Sequence, residues 1–259
     1  MDLGIEGRRA IVCAASRGLG RACAEVLAAE RVDLVICART AADIEKAAAE
    51  IAERHGVAVT PVACDVTTDA GRQALLDACP EPDILINNAG GPPPGDFRDF
   101  WPDDWRRAVE GNMISPLALI HATVYGMMDR GFGRIVNITS FSVKAPIPTL
   151  ELSNGARAGL TGAVAALARK VASRGVTINN LLPGPFETDR LRKTSEALAA
   201  KTGRPVEEVQ AERAAENPTG RFGQPGELGA MCAFLCSAHG GYVTGQNLVL
   251  DGGAINATL

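Results

Sequence analysis

Short apolar segments alternate with amphipathic helical segments along almost the whole chain, and this alternation limits the possible folds more than any other feature. Residues 8–14 and 32–37 are mainly apolar stretches of strand length, whereas the apolar positions of 18–30 recur at the spacing of one helical face. Strands that are apolar on both sides are typical of a parallel sheet that helices cover on both faces. The sequence therefore predicts an α/β protein with a doubly wound parallel sheet.

The same pattern predicts seven strands and six helices in a single domain over residues 1–259. The predicted strands cover 8–14, 32–37, 57–64, 83–86, 134–138, 176–181 and 248–250. The predicted helices cover 18–30, 41–55, 68–78, 101–129, 151–173 and 224–237. Residues 91–95, Gly-Pro-Pro-Pro-Gly, indicate a rigid surface loop. Residues 187–222 have no place in the sheet and contain helical patches at 195–200 and 207–216, so we expect them to form a lid over a site.

Charge and cysteine usage exclude several classes of function. The net charge of −4 disfavours a nucleic-acid or membrane partner, because such surfaces need concentrated positive charge. No signal sequence or membrane-spanning run is evident, so we expect a cytoplasmic protein. The seven cysteines form no C-x-x-C pair, which favours buried reduced thiols over a metal site or disulfides.

Polar and glycine-containing motifs follow the predicted strands, where a doubly wound sheet binds its ligands. The turn 13–20 follows the first strand, and its glycines allow a pyrophosphate to approach the backbone at a helix N-terminus. Taken alone, this turn fits a tight strand-to-helix connection equally well. Asp65-Val66, residues 87–90 (Asn-Asn-Ala-Gly) and Pro183-Gly184 follow three other strands. Together these motifs predict a dinucleotide site.

The chain resembles the short-chain dehydrogenase/reductase family along essentially its whole length. The resemblance is carried by Arg17-Gly18-Leu19-Gly20, Asp65, residues 87–90, Asn112, the strand 133–138 leading to Ser140, Pro183-Gly184, residues 243–246 and residues 251–253. It implies a Rossmann-type sheet of about seven strands, an oxidoreductase that binds NAD(P), a small-molecule substrate, and a homotetramer or homodimer. The cofactor-binding residues that it implies are Ala14, Ser16, Arg17, Gly18, Leu19, Gly20, Arg39, Asp65, Val66, Asn88, Ala89, Gly90, Arg157, Pro183, Gly184 and Thr188. The family turn normally begins with Thr-Gly, and because Cys13-Ala14 stands here we expect the fold to persist with weaker cofactor binding.

The end of the second strand predicts NADP(H) rather than NAD(H). An acidic residue at this position would bind both ribose hydroxyls and favour NAD. The sequence instead has Arg39 there, and Arg39 with Arg17 can pair with a 2′-phosphate. Either arginine can instead be an ordinary solvated surface residue. Thr188 resembles the family threonine that contacts the nicotinamide amide, and it is equally suited to cap the helix that follows.

The catalytic positions depart from the family pattern. The resemblance implies Asn, Ser, Tyr and Lys; Asn112 and Ser140 match, but Ser153 and Arg157 replace the tyrosine and lysine. Ser153 and Arg157 still share a helix face. An arginine keeps its charge but cannot release a proton, so the pair retains electrostatics and loses the tuned acid. Lys144 or Glu151 can supply a proton, or each can be a solvated loop charge.

Three functions remain open at this point. The first is an NADP(H)-dependent oxidoreductase acting on a carbonyl or alcohol, with the altered tetrad Asn112, Ser140, Ser153 and Arg157. The second is a catalytically silent protein that binds the cofactor. The third is a non-redox lyase or dehalogenase; halohydrin dehalogenases resemble this family and carry an arginine at this position, but they keep the tyrosine. The motifs for the nicotinamide side of the site favour the first hypothesis.

Overall fold

The computed structural model describes residues 2–257 and contains one seven-stranded sheet in which every pair of neighbouring strands is parallel. Residues 1 and 258–259 of the predicted domain lie outside this range. The strands are β1 (Arg9–Val12), β2 (Asp33–Ala38), β3 (Val59–Ala63), β4 (Ile84–Asn87), β5 (Gly133–Ile138), β6 (Val176–Pro183) and β7 (Asn247–Leu250). Their order is β3-β2-β1-β4-β5-β6-β7. The predicted α/β class is confirmed, and the switch point of the sheet lies between β1 and β4.

Helices cover both faces of the sheet, as the apolar strands require. They are α1 (Gly18–Ala29), α2 (Ala41–His55), α3 (Asp69–Ala78), α4 (Pro102–Val109), α5 (Ser115–Asp129), α6 (Glu151–Val171), α7 (Asp189–Thr202), α8 (Val206–Ala215) and α9 (Pro225–Cys236). Buried residues of α1, α2 and α9 pack on one face, and those of α3, α5 and α6 pack on the other. No helix within residues 2–257 is long and apolar enough to cross a membrane.

The chain is helical over 102–129, as the predicted long helix over 101–129 requires, but it is not α-helical throughout. A π-helical turn, Glu110–Ile114, separates α4 from α5. Pro116 has no N–H to donate to the carbonyl of Asn112, four residues earlier, and the N–H of Ser115 bonds to the carbonyl of Glu110, five residues earlier. The widened turn contains Asn112, one of the predicted catalytic residues.

Four asparagines form a ladder across β4, β5, β6 and β7, and the sequence analysis missed it; three of them are buried and Asn247 is half-buried. Asn87 donates to Asn137 at 2.9 Å, Asn137 to Asn180 at 2.9 Å, and Asn180 to Asn247 at 2.8 Å. These residues are direct partners in the strand register. Because a shift of any strand would leave buried amides unpaired, the ladder fixes the register beside the strand ends that carry the predicted site.

The segment 187–222 lies outside the sheet, and its two ends are held together. A parallel bridge between Phe186 and Gly223 closes its base, and the Glu187 N–H donates to the carbonyl of Gly223 at 2.8 Å. The segment contains α7 and α8. Helix α7 is longer than the predicted patch at 195–200, whereas α8 approximately matches the predicted patch at 207–216. Arg213 on α8 donates to Ser195 on α7 at 2.7 Å, which joins the two helices.

Candidate active site

The turn after β1 has a conformation that glycine normally provides. Ala14 has a φ of 49° and Gly18 a φ of 61°, in the left-handed region that residues with a Cβ rarely occupy. A Cβ on Gly20 would lie 2.4 Å from the carbonyl oxygen of Ala14, so this position accepts only glycine. Ala14, where the family has glycine, therefore holds a strained backbone.

Other strand ends gather around this turn. Asn88 Nδ2 donates to the carbonyl of Ala14 at 3.4 Å, which ties the loop after β4 to the turn. Thr188 lies close to Gly18: a Cβ built on Gly18 would be 3.7 Å from the methyl carbon of Thr188. The same threonine caps α7, accepting from the N–H of Leu191 at 3.3 Å. The remaining predicted cofactor residues lie at these strand ends or beside the turn: Ser16, Leu19, Val66, Ala89, Gly90, Pro183 and Gly184.

The predicted nucleotide end of the site combines Asp65 with two exposed arginines. Asp65 Oδ1 accepts from the N–H of Thr67 at 3.0 Å and from its hydroxyl at 2.8 Å. The backbone hydrogen bond from Thr67 is the main cause of the lowered pKa of Asp65, and the charge of Arg39 contributes to it. Arg17 lies in the turn itself, with Nη1 3.9 Å from Asp189 Oδ2 on α7. The two arginines thus lie beside different carboxylates, Arg39 near Asp65 and Arg17 near Asp189.

Arg157 is buried at the centre of the predicted catalytic cluster, with 8% of its surface exposed. Its Nε donates to Ser153 Oγ at 3.2 Å. Its Nη1 donates to the carbonyls of Ile138 at 2.9 Å and Thr139 at 2.8 Å. Burial and, to a smaller extent, the charge of Arg190 together lower the pKa of Arg157 to about 10. The guanidinium therefore keeps its charge at neutral pH.

Asn112 and Ser140 lie near this arginine and retain hydrogen-bonding capacity. Asn112 Nδ2 donates to the carbonyl of Ala108 at 3.2 Å, whereas its buried Oδ1 has no partner within residues 2–257. A cavity of about 10 Å³ brings Asn112 and Arg157 together with Asn88 and Ala89. Ser140 Oγ accepts from the N–H of Ser142 at 3.1 Å, so its own hydroxyl proton stays available.

The two other candidate proton donors lie in different environments. Lys144 is exposed at the end of a short 3-10 turn. Glu151 begins α6, and its Oε1 accepts from the N–H of Thr149 at 3.3 Å. Its Oε2 is buried without a hydrogen-bond partner in the described part of the chain. Neither carboxylate oxygen is hydrogen-bonded to Ser153 or Arg157.

Arg190, on the first turn of α7, is a candidate residue that sequence reasoning missed. Its Nη2 donates to the carbonyl of Pro92 at 3.1 Å, and its Nη1 would lie 2.4 Å from a Cβ on Gly91. The only signal in the sequence is its position, two residues after Thr188 at the start of the predicted lid. No group of residues within 2–257 is suited to hold a metal ion.

Comparison with known proteins places this geometry among reductases. The family profile described as "Enoyl-(Acyl carrier protein) reductase" matches residues 13–255. A 3-oxoacyl-(acyl-carrier-protein) reductase FabG from Vibrio harveyi is 35% identical over 257 residues, covering 97% of this chain and 98% of the relative.

Two solved structures show the same fold over nearly the whole chain. L-sorbose reductase from Gluconobacter frateurii, complexed with NADPH and L-sorbose, is 30% identical with a TM-score of 0.95, covering 99% of this chain and 100% of that one. YwfH, an NADPH-dependent reductase involved in bacilysin biosynthesis, is 29% identical with a TM-score of 0.91, covering 96% of this chain and 99% of that one.

Proposed function

Since this chain belongs to the short-chain dehydrogenase/reductase family, we propose that it is an NADP(H)-dependent oxidoreductase that interconverts a small carbonyl compound and its alcohol. In this proposal Ser153 and Arg157 act in place of the usual tyrosine and lysine. The observation that carries it is the hydrogen bond from Arg157 Nε to Ser153 Oγ at 3.2 Å, because it directs the proton of the serine hydroxyl away from the arginine.

The residues at the strand ends fit a dinucleotide. The backbone cradle around Gly20 leaves no room for a side chain, and the N-terminus of α1 begins at Gly18 with free N–H groups for a diphosphate. In this proposal Thr188, which lies beside Gly18, contacts the nicotinamide end. When bound, the reduced cofactor supplies the hydride that the carbonyl carbon accepts.

The preference for NADP(H) rests on the end of β2. No carboxylate stands there to accept the ribose hydroxyls, and Arg39 is exposed with no salt-bridge partner among residues 2–257. A 2′-phosphate would give this arginine a negatively charged partner. L-sorbose reductase and YwfH, which share the fold, are both described with NADPH.

Negative charge develops on the substrate oxygen during reduction, and this chain supplies donors for it. Ser153 offers its hydroxyl proton while its oxygen accepts from Arg157, and Ser140 offers a second hydroxyl. The buried guanidinium adds positive charge in a region of low dielectric, where such charge is most effective. The serine stabilises the oxyanion by hydrogen bonding, and water then delivers the proton that completes the alcohol.

A second candidate function is favoured by the other contacts of Arg157. Its Nη1 binds the backbone carbonyls of Ile138 and Thr139, which is a structural role. Such a chain would bind the cofactor and perform no reaction, so the second candidate is a silent cofactor-binding protein.

One experiment separates the two candidates. Binding of NADPH and NADH is measured by calorimetry, and a panel of ketones and aldehydes is then tested by absorbance at the nicotinamide band. We expect NADPH to bind about tenfold or more tightly than NADH, corresponding to about 1.4 kcal/mol, and at least one carbonyl to be reduced. Arg39→Ala should remove most of the preference, while Lys46→Ala, which removes an exposed charge from α2, should preserve it.

Each outcome has a defined meaning. Binding with turnover supports the oxidoreductase. Binding without turnover of any carbonyl favours the silent protein. Absence of binding by either nucleotide contradicts both candidates.

A further inference from the structure

A second arginine faces the catalytic cluster from the lid segment. Arg190 extends from α7 across to the loop that follows β4, where its Nη2 donates to the carbonyl of Pro92 at 3.1 Å. Its guanidinium lies against the backbone of Gly91, close enough that a Cβ there would meet Nη1 at 2.4 Å. The contact spans 98 positions of sequence, so it links the lid to the rim of the site.

Neither Arg157 nor Arg190 has a carboxylate partner, since no carboxylate of residues 2–257 lies within 4.0 Å of either guanidinium. The charge of Arg190 contributes to the lowered pKa of Arg157. Three other arginines of the segment are each paired with a glutamate, namely Arg192, Arg204 and Arg221. Two neighbouring positive charges without a counter-ion repel each other and attract an anion.

We propose that Arg190, together with the charge of Arg157, forms a subsite for a carboxylate of the substrate, so that the enzyme acts on an oxo acid or the corresponding hydroxy acid. This inference rests on the proposed function and assigns its substrate class. A planar guanidinium is suited to bind a carboxylate through two parallel hydrogen bonds. Arg190 uses Nη2 on Pro92, and Nη1 makes no hydrogen bond within the described residues.

The anion could also be a phosphate of the cofactor, and the positions of the residues favour the substrate. The diphosphate is expected at the turn after β1, where Arg17 lies. Arg190 instead contacts the loop 91–95 and influences Arg157, which is bonded to Ser153. The loop that Arg190 contacts begins just after Asn88 and Ala89, which line a cavity with Arg157, so we assign the charge of Arg190 to the substrate side of the site.

The test compares matched acids and esters in the protein saturated with NADP⁺. Binding of NADP⁺ is measured first; acetoacetate and levulinate, and then their methyl esters, are titrated into the complex by calorimetry. We expect each acid to bind about tenfold or more tightly than its ester, the effect of one charge-assisted hydrogen bond. Arg190→Met should reduce this ratio to about one, and Arg190→Lys should retain part of it.

Arg192→Met is the matched control, because Arg192 lies on the same helix and is exposed and paired with Glu196. It should leave the acid-to-ester ratio unchanged. Equal binding of acids and esters, or a ratio that survives in Arg190→Met, would overturn the inference while the proposed function stands. A loss of NADP⁺ affinity in Arg190→Met equal to the loss of acid affinity would assign the charge to the cofactor and also overturn it. If NADP⁺ does not bind the unsubstituted protein, the proposed function itself fails.

Discussion

Replacing Arg157 with methionine removes the central side chain of the candidate site while keeping a long, flexible side chain in its place. Three hydrogen bonds are lost: one to Ser153 Oγ and two to the carbonyls of Ile138 and Thr139. Hydrogen bonds from a charged donor contribute about 1.5–3 kcal/mol each, so their combined loss is roughly 4–9 kcal/mol. The substitution tests whether this arginine holds the end of β5 to α6.

Part of the stability lost with these hydrogen bonds is regained, because the substitution also removes the buried positive charge of Arg157. The pKa of Arg157 is lowered to about 10 by burial and by the charge of Arg190, which corresponds to about 3 kcal/mol of unfavourable energy for the charged form. We therefore expect Arg157→Met to lower the free energy of unfolding by about 1–6 kcal/mol. The rate of carbonyl reduction should fall about 100-fold or more, the usual effect of removing an oxyanion donor.

Urea unfolding followed by circular dichroism measures the first quantity, and single-turnover oxidation of NADPH measures the second. Arg169→Met on the exposed side of α6 is the control and should change the unfolding free energy by less than about 0.5 kcal/mol. If Arg157→Met is as stable as the control, the contacts to Ile138 and Thr139 do not hold the strand. If it is also as active, the arginine has no part in catalysis.

Three further predictions follow from single contacts. Ala14→Gly should relieve the left-handed strain at φ 49° and should therefore tighten NADPH binding; weaker binding would contradict this. The free energy of unfolding should change by less than about 1 kcal/mol, because glycine relieves strain in the folded protein but also adds flexibility to the unfolded chain. Asn137→Leu should lower the free energy of unfolding by about 3 kcal/mol, because it leaves Asn87 Nδ2 and Asn180 Oδ1 buried and unpaired. Thermal unfolding measures this loss, and Thr177→Val is the control because the buried hydroxyl of Thr177 already lacks a partner. The sequence predicted an arginine that cannot release its proton, but in the folded protein the pKa of Arg157 is lowered to about 10, mainly by burial. The reduction rate should therefore fall as the pH rises through about 10, because the native protein loses this charge there. The unfolded chain retains the proton over the same range, so this group makes stability rise with pH. A rate that instead changes near pH 7 would indicate a different titrating group.

The sheet and most helices could be predicted because their signal is local. Apolar runs bounded by polar turns gave each strand to within a few residues, and the motifs at the strand ends placed the predicted site at one edge of the sheet. The π-helical turn at Glu110–Ile114 was missed although its cause, Pro116, is visible in the sequence, because a proline inside a helix removes one hydrogen bond without showing whether the α-helix continues or widens there. Helical periodicity alone does not distinguish the two cases.

The features that could not be predicted from the sequence depend on contacts between distant segments. The spacing of Ser153 and Arg157 predicted that they share a helix face, but the carbonyls that bind Arg157 Nη1 lie 18 and 19 positions away on another element. Arg190 reaches a loop 98 positions away. Such contacts depend on how the elements pack, and a single sequence records no direct signal of packing.

The proposed function requires that this chain transfer hydride without a catalytic tyrosine. The most direct test incubates the protein with NADPH deuterated at the transferable position of the nicotinamide and with a panel of oxo acids and neutral ketones, and then examines the alcohols by mass spectrometry. We expect deuterium on the carbinol carbon of at least one product, and we expect the label to be lost in Arg157→Met. NADPH that binds without any transfer of deuterium would contradict the claim and favour a silent cofactor-binding protein.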